Sequence, residues 1–160
     1  MRAIGSRRAS SQPQTPWALI GHTLWPRNVQ PIPETHARGF ATRRAEGELM
    51  ELSLQVSEAG RIEAVRCRAV GSGITVACGS VFSEMIRGRT LADAQRVTPE
   101  DVAQALDDLP AHYRAEATLP VVALRSALED RRRRSAGLPS SAQGCLVSQS
   151  LRGERRPLLA

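Results

Sequence analysis

Residues 48–57, ELMELSLQVS, alternate apolar and polar side chains. Met50, Leu52, Leu54 and Val56 fall on one side of an extended chain, and Glu51, Ser53 and Gln55 on the other. A period of two is that of a half-buried strand. Ser57, Glu58, Ala59 and Gly60 read as a turn, with glycine available for positive φ. Residues 61–70, RIEAVRCRAV, predict a second strand in which Val65, Cys67 and Ala69 share a face, so the two strands make an antiparallel hairpin. A weaker strand is expected at 39–45, beside them.

The period then changes. Gly71, Ser72 and Gly73 break the extended run. From Ile74 to Arg87 the apolar positions Ile74, Ala77, Val81 and Met85 recur at intervals of three and four, as on one face of a helix, and Gly88 supplies a stop. Thr98 is placed as an N-cap, Pro99 as the first helical residue, and Glu100 and Asp101 in the first turn, so a short helix is expected to about Leu106. Leu109 and Pro110 open a further segment. Pro120 to about Arg132 predicts the last helix, with Val121, Leu124 and Leu128 on one stripe. Strands come first and helices after, so the expected class is α+β: a small antiparallel three-stranded sheet followed by helices packed on one face.

Charge modifies this picture mainly at the ends. The 160-residue chain has 22 basic residues, all Arg, against 16 acids, a net charge of +6. Residues 1–38 hold five Arg and one acid, Glu34, and residues 135–160 hold three Arg and one acid, Glu154. The 14 Arg and 14 acids between them cancel. A nucleic-acid-binding domain would carry its positive field on the folded part. The five aromatics, Trp17, Trp25, Phe40, Phe82 and Tyr113, also make no base-stacking surface. Nucleic acid is therefore not an expected partner, and the short apolar runs give no membrane span. The four arginines at 131–134 read as a solvated helix end, favoured by the helix dipole.

Three regions are expected: a disordered basic leader at 1–17, a folded domain at 18–134 and a disordered tail at 135–160. The leader is rich in Ser, Gln and Arg, as in an organellar transit peptide. Its Arg7–Arg8 pair lacks the apolar stretch of an export signal. The all-arginine basic composition points instead to GC-rich coding and a bacterial cytoplasm, with an organellar matrix as the alternative. Three cysteines make no disulfide scaffold and suit a reducing compartment. Cys67 and Cys78 read as small buried hydrophobes, and Cys145 as an incidental thiol in the tail. His22 and His36 share no ligand spacing, and His112 reads as a surface residue. A Gly-rich phosphate loop, a G-x-S-x-G elbow, an H-E-x-x-H pair and a CxxC pair are all missing from the sequence, so an enzyme is not expected.

The segment VGSGITVACGSVFSEMIRGRTLADA resembles the NifU/IscU-type iron–sulfur cluster scaffold family, which has a glycine-cysteine-glycine turn, a small-residue-rich helix, a glutamate and a basic-glycine stop. These appear as Gly71-Ser72-Gly73, the helix to Arg87, Glu84, and Arg87-Gly88. The resemblance continues in Pro26-Arg27-Asn28-Val29, in Glu48 to Leu52, in Gly60 to Glu63 and in Thr98 to Val102, and it covers about residues 18–132. It implies a SufE/NifU-like fold and a non-enzymatic scaffold that assembles a [2Fe–2S] cluster on three cysteines beside an aspartate. The implied partners are a cysteine desulfurase and other iron–sulfur assembly proteins. By position the first cysteine falls on Glu46, the aspartate on Glu48, the second cysteine on Ser72, and the histidine-cysteine pair on Ala115 and Glu116. The chaperone-binding leucine-proline-proline-valine-lysine motif survives as Leu109-Pro110.

Each expected thiolate is thus replaced by oxygen, whereas clusters are held by soft sulfur. If the fold is kept, Glu46, Glu48, Ser72 and Glu116 converge on an oxygen-rich site suited to Fe²⁺, Mn²⁺ or Zn²⁺. The plainer alternative is a set of surface acids flanking a glycine turn. Cys78 is either a core residue or a stand-in thiolate. Two functions follow: a divergent scaffold that binds iron or a cluster, or a cluster-free relative that regulates the assembly machinery by binding it.

Overall fold

The structure is a computed structural model that describes residues 16–140. Residues 1–15 of the expected leader, residues 141–160 of the expected tail, and Cys145 lie outside the described residues. Three strands, β1 (Ala37–Arg43), β2 (Glu48–Val56) and β3 (Ile62–Val70), form an antiparallel sheet in the order β1-β2-β3. Helix α1 (Trp17–Leu24) precedes the sheet. Helices α2 (Gly73–Ile86), α3 (Leu91–Ala94), α4 (Pro99–Ala105) and α5 (Arg114–Ser135) follow it. This is the expected α+β order.

The alternation in β2 sets the inward face. Leu54 lies opposite Ala37, Leu52 between Gly39 and Cys67, and Met50 between Ala41 and Ala69. Met50, Leu52 and Leu54 are fully buried against the helices, together with Phe82 of α2 and Ala123, Leu124 and Ala127 of α5. Cys67 and Cys78 are buried free thiols, as their patterns predict.

Helix α5 straps the open edge of the sheet. The outward N–H groups of Arg38 and Phe40 in β1 would otherwise lack partners. They donate to Asp130 Oδ2 (2.9 Å) and Ser126 Oγ (3.1 Å) of α5. An edge strand covered in this way is closed to pairing with another chain. Asp130 is fully buried. Burial works against its charge, but the Ser140 hydroxyl, the Arg38 N–H and the Arg134 guanidinium more than offset that and hold its carboxyl below the ordinary value. Gly39 allows the close approach: a β-carbon there would lie 2.0 Å from the Ala123 carbonyl oxygen and 2.3 Å from Ala127 N.

Three features differ from the expectation. Helix α5 starts at Arg114, six residues before Pro120. Proline removes one N–H and crowds the carbonyl four residues back. Here that loss falls on Glu116 in the first turn, where the flanking Ala115 and Ala117 favour helix. Helix α2 is buried on more than one side: Thr75, Ser80 and Ser83 are covered along with Ala77 and Val81, while Ile74 and Met85 of the expected stripe are half-buried. The unexpected α1 covers that second side. Five of its eight residues are apolar, but Trp17 and Leu24 stay exposed.

Replacing Gly39 by Ala should cost at least about 2 kcal/mol, because backbone rather than a flexible side chain must move. Urea unfolding of Gly39→Ala measures this. A change within about 0.5 kcal/mol would show that α5 does not lie this close to β1.

Candidate functional site: a carboxylate cluster closed by arginine

The four expected site residues come from three parts of the chain. The β1–β2 connection is a single 3₁₀ turn, Arg44–Glu46, ended by Gly47 at φ 69°. This leaves Glu46 at the tip and Glu48 at the start of β2. Glu48 shares the inward face with Met50 and Leu52, and it is only 5% exposed. Ser72 sits in the β3–α2 turn. There Gly71 adopts φ 142°, and a β-carbon on it would lie 2.8 Å from Glu48 Cγ. Glu116 lies in the first turn of α5, where the helix dipole favours an acid.

The side chain that brings the carboxylates together is Arg43. It is the last residue of β1 and the direct cross-strand partner of Glu48. Its Nη1 lies 2.8 Å from Glu48 Oε2 and 3.1 Å from Glu116 Oε1, and its Nη2 lies 3.1 Å from Glu46 Oε1. Burial opposes its charge. Glu46, Glu116 and Glu48 more than compensate, so the guanidinium is held above its ordinary pKa. The planar fork of arginine suits this task, because its separate donors serve several carboxylates at once.

Hydroxyls complete the shell around Glu48. Thr75 Oγ1 donates to Glu48 Oε1, and Ser72 Oγ reaches the same oxygen at 3.5 Å. Ser72 is chiefly an N-cap: its Oγ accepts from Thr75 N at 3.2 Å. That is a standard means of satisfying the first turn of a helix. Cys78 faces the cluster from α2. Burial, together with the Glu116 and Glu48 charges, pushes its thiol up to about 12. Both effects favour the thiol over the thiolate.

The expected convergence is present, but its centre is a guanidinium. Among the described residues, no group of three or more His, Cys, Asp and Glu side chains is arranged to hold a metal ion. The donor set does not fit an iron–sulfur cluster, because it offers oxygen and no thiolate. His112 is exposed, as expected.

The Arg27–Asn28 pair bolts the N-terminal segment to the rest. Arg27 N donates to Ser80 Oγ (2.8 Å), Asn28 Nδ2 to Ser83 Oγ (2.9 Å), and Cys67 N to the Asn28 carbonyl (2.8 Å). Asn28 takes φ 55°, a conformation that asparagine tolerates. His22 Nδ1 lies 2.7 Å from Ser80 Oγ, and Nε2 lies 3.6 Å from Glu84. Burial lowers the His22 pKa, Glu84 raises it and Arg27 lowers it, with a net shift downward. Sequence reasoning missed both His22 and Arg43. The signal for Arg43 is a charged residue on the inward parity of β1.

A histidine whose folded pKa lies below its unfolded value adds a term that favours the native state at higher pH. As pH falls below about 6.5, the unfolded chain takes up a proton first, and stability declines until the folded pKa is passed. The melting temperature should fall between about pH 7.5 and 5.5, and more steeply in the parent than in His22→Gln. Equal slopes would remove His22 from the account.

The chain matches the NifU-like N terminal domain family over residues 18–137. It is 38% identical over 103 residues to the nitrogen fixation protein NifU of Cereibacter sphaeroides, a match covering 64% of this chain and 42% of that protein. It is 32% identical over 112 residues to the iron-sulfur cluster assembly scaffold protein IscU 1 of Archaeoglobus fulgidus, covering 70% of this chain and 72% of that one. A nitrogen-fixing NifU-like protein (N-terminal) from Brucella abortus has the same fold, with a TM-score of 0.61 at 10% identity over 72% of this chain and 92% of that one.

Proposed function

We propose that this chain, which belongs to the NifU-like N terminal domain family, acts in iron–sulfur cluster assembly as a scaffold-type protein that binds the assembly machinery without holding a cluster on its own side chains. Its similarity to a nitrogen fixation protein and to an iron-sulfur cluster assembly scaffold protein supports the process. The observation that carries the cluster-free part is the donor set: Glu46, Ser72 and Glu116, which the resemblance sets at the cysteine positions, offer only oxygen, and Arg43 lies between the carboxylates. Iron–sulfur clusters need thiolates, and the nearby thiol, Cys78, is a single buried side chain of the core.

The partner class is a cysteine desulfurase, with other assembly proteins. The chain binds and does not catalyse. Its buried hydroxyl–imidazole pair, Ser80 with His22, is occupied by the Arg27 N–H and holds α1 in place. Two buried free thiols suit a reducing compartment such as a bacterial cytoplasm. No helix among the described residues is long and apolar enough to cross a membrane.

The convergence of Glu46, Glu48 and Glu116 beside Ser72 favours a second reading, in which iron or zinc is carried on oxygen. It requires the Arg43 guanidinium to leave its three partners.

Three measurements test these readings. Anaerobic incubation with iron and sulfide should leave the protein colourless, whereas visible charge-transfer bands would contradict the cluster-free reading. Calorimetric titration with a cysteine desulfurase should give binding that a chelator does not change, and no binding would remove the proposed partner. The triple variant Glu46→Cys, Ser72→Cys, Glu116→Cys should gain visible bands, because the fold holds those positions together.

A further inference from the structure

We propose that the Arg43 guanidinium is a built-in substitute for a bound metal: it supplies the positive charge and the cross-link at this site, closes the site to divalent cations, and makes the order of the protein independent of metal. This rests on the cluster-free reading above and adds to it what fills the space and what that does to the fold. A metal ion at such a place neutralises clustered acids and ties their segments together. Arg43 does both through one side chain. It joins the end of β1 to the β1–β2 turn at Glu46, to the start of β2 at Glu48, and to the first turn of α5 at Glu116.

The remaining donors point the same way. Glu48 Oε1 is taken by Thr75 and Ser72, and Glu48 Oε2 by Arg43. Ser72 Oγ is engaged by the α2 backbone. Glu116 Oε2 is buried without a hydrogen-bond partner, but one oxygen is not a coordination shell. An incoming divalent cation would need three or more donors close around it. It would have to take them from a guanidinium that cannot deprotonate to make way.

The test is thermal unfolding of the whole chain with Zn²⁺, with Fe²⁺ under anaerobic conditions, and with a chelator. The parent should melt at the same temperature, within about 1 °C, in all three. Arg43→Gln, which leaves three carboxylates without their counter-charge, should melt several degrees lower and regain part of the loss with Zn²⁺. Arg43→Lys keeps the charge but not the fork, and should melt lower without a Zn²⁺ response. If Arg43→Gln does not fold, the parent and Arg43→Lys still decide the matter. A parent that is stabilised by Zn²⁺ or destabilised by chelation, with the effect lost in Glu116→Gln, overturns the proposal. This result is independent of desulfurase binding, so failure of the partner reading and failure of the closed site are distinguishable.

Discussion

The site depends on one cation meeting three carboxylates, two beside it in the β1–β2 segment and one brought from the start of α5. Buried acids are costly unless paired, and Glu48 at the inward end of β2 is among the least exposed charges in the fold. Its place is made possible by Arg43 across the strand pair, by the Thr75 hydroxyl, and by a glycine at position 71 that leaves room for its side chain. With those three in place, the β1–β2 turn, the β3–α2 turn and the start of α5 are fixed relative to one another. The arrangement uses the same places that the resemblance assigns to cluster ligands and fills them with opposite chemistry. Hard oxygen replaces soft sulfur, and an immobile organic cation stands where a metal would.

The packing around the cluster holds α5 firmly. Its N-terminal turn carries Glu116 to Arg43, its middle presses on Gly39, and its C-terminal part presents Asp130 to the edge of β1. A helix held at three points along its length has little freedom to withdraw Glu116. This rigidity suits a protein that offers a fixed surface to partners, and it suits poorly a site that must open to receive metal and sulfide.

Much of this was legible in the sequence, because it depended on periodicity and punctuation. The alternation of Met50, Leu52, Leu54 and Val56 marked β2 and its buried face. Gly71-Ser72-Gly73 marked the switch to helix, and Thr98-Pro99 marked the start of α4. Two errors had local physical causes. Pro120 suggests a helix start, whereas it stands inside α5, where the helix continues through it at the cost of one backbone hydrogen bond to Glu116. Helix α1 escapes sequence reading because it has no side-chain N-cap and its apolar positions Trp17 and Leu24 stay exposed instead of marking a buried face. For the site, the positions of Glu46, Glu48, Ser72 and Glu116 followed from the resemblance. Arg43 did not: its inward parity in β1 is a local signal, but its pairing with Glu48 lies in the register of β1 against β2.

The most direct test of this account is a double-mutant cycle between Arg43 and Glu116, using Arg43→Met and Glu116→Gln with stability read from denaturant unfolding. Residues in contact show coupled losses, and distant ones add. The account predicts that the double variant loses clearly less stability than the two single losses combined. Strict additivity would mean that the first strand and the last helix do not meet through these side chains, and the closed site would not exist.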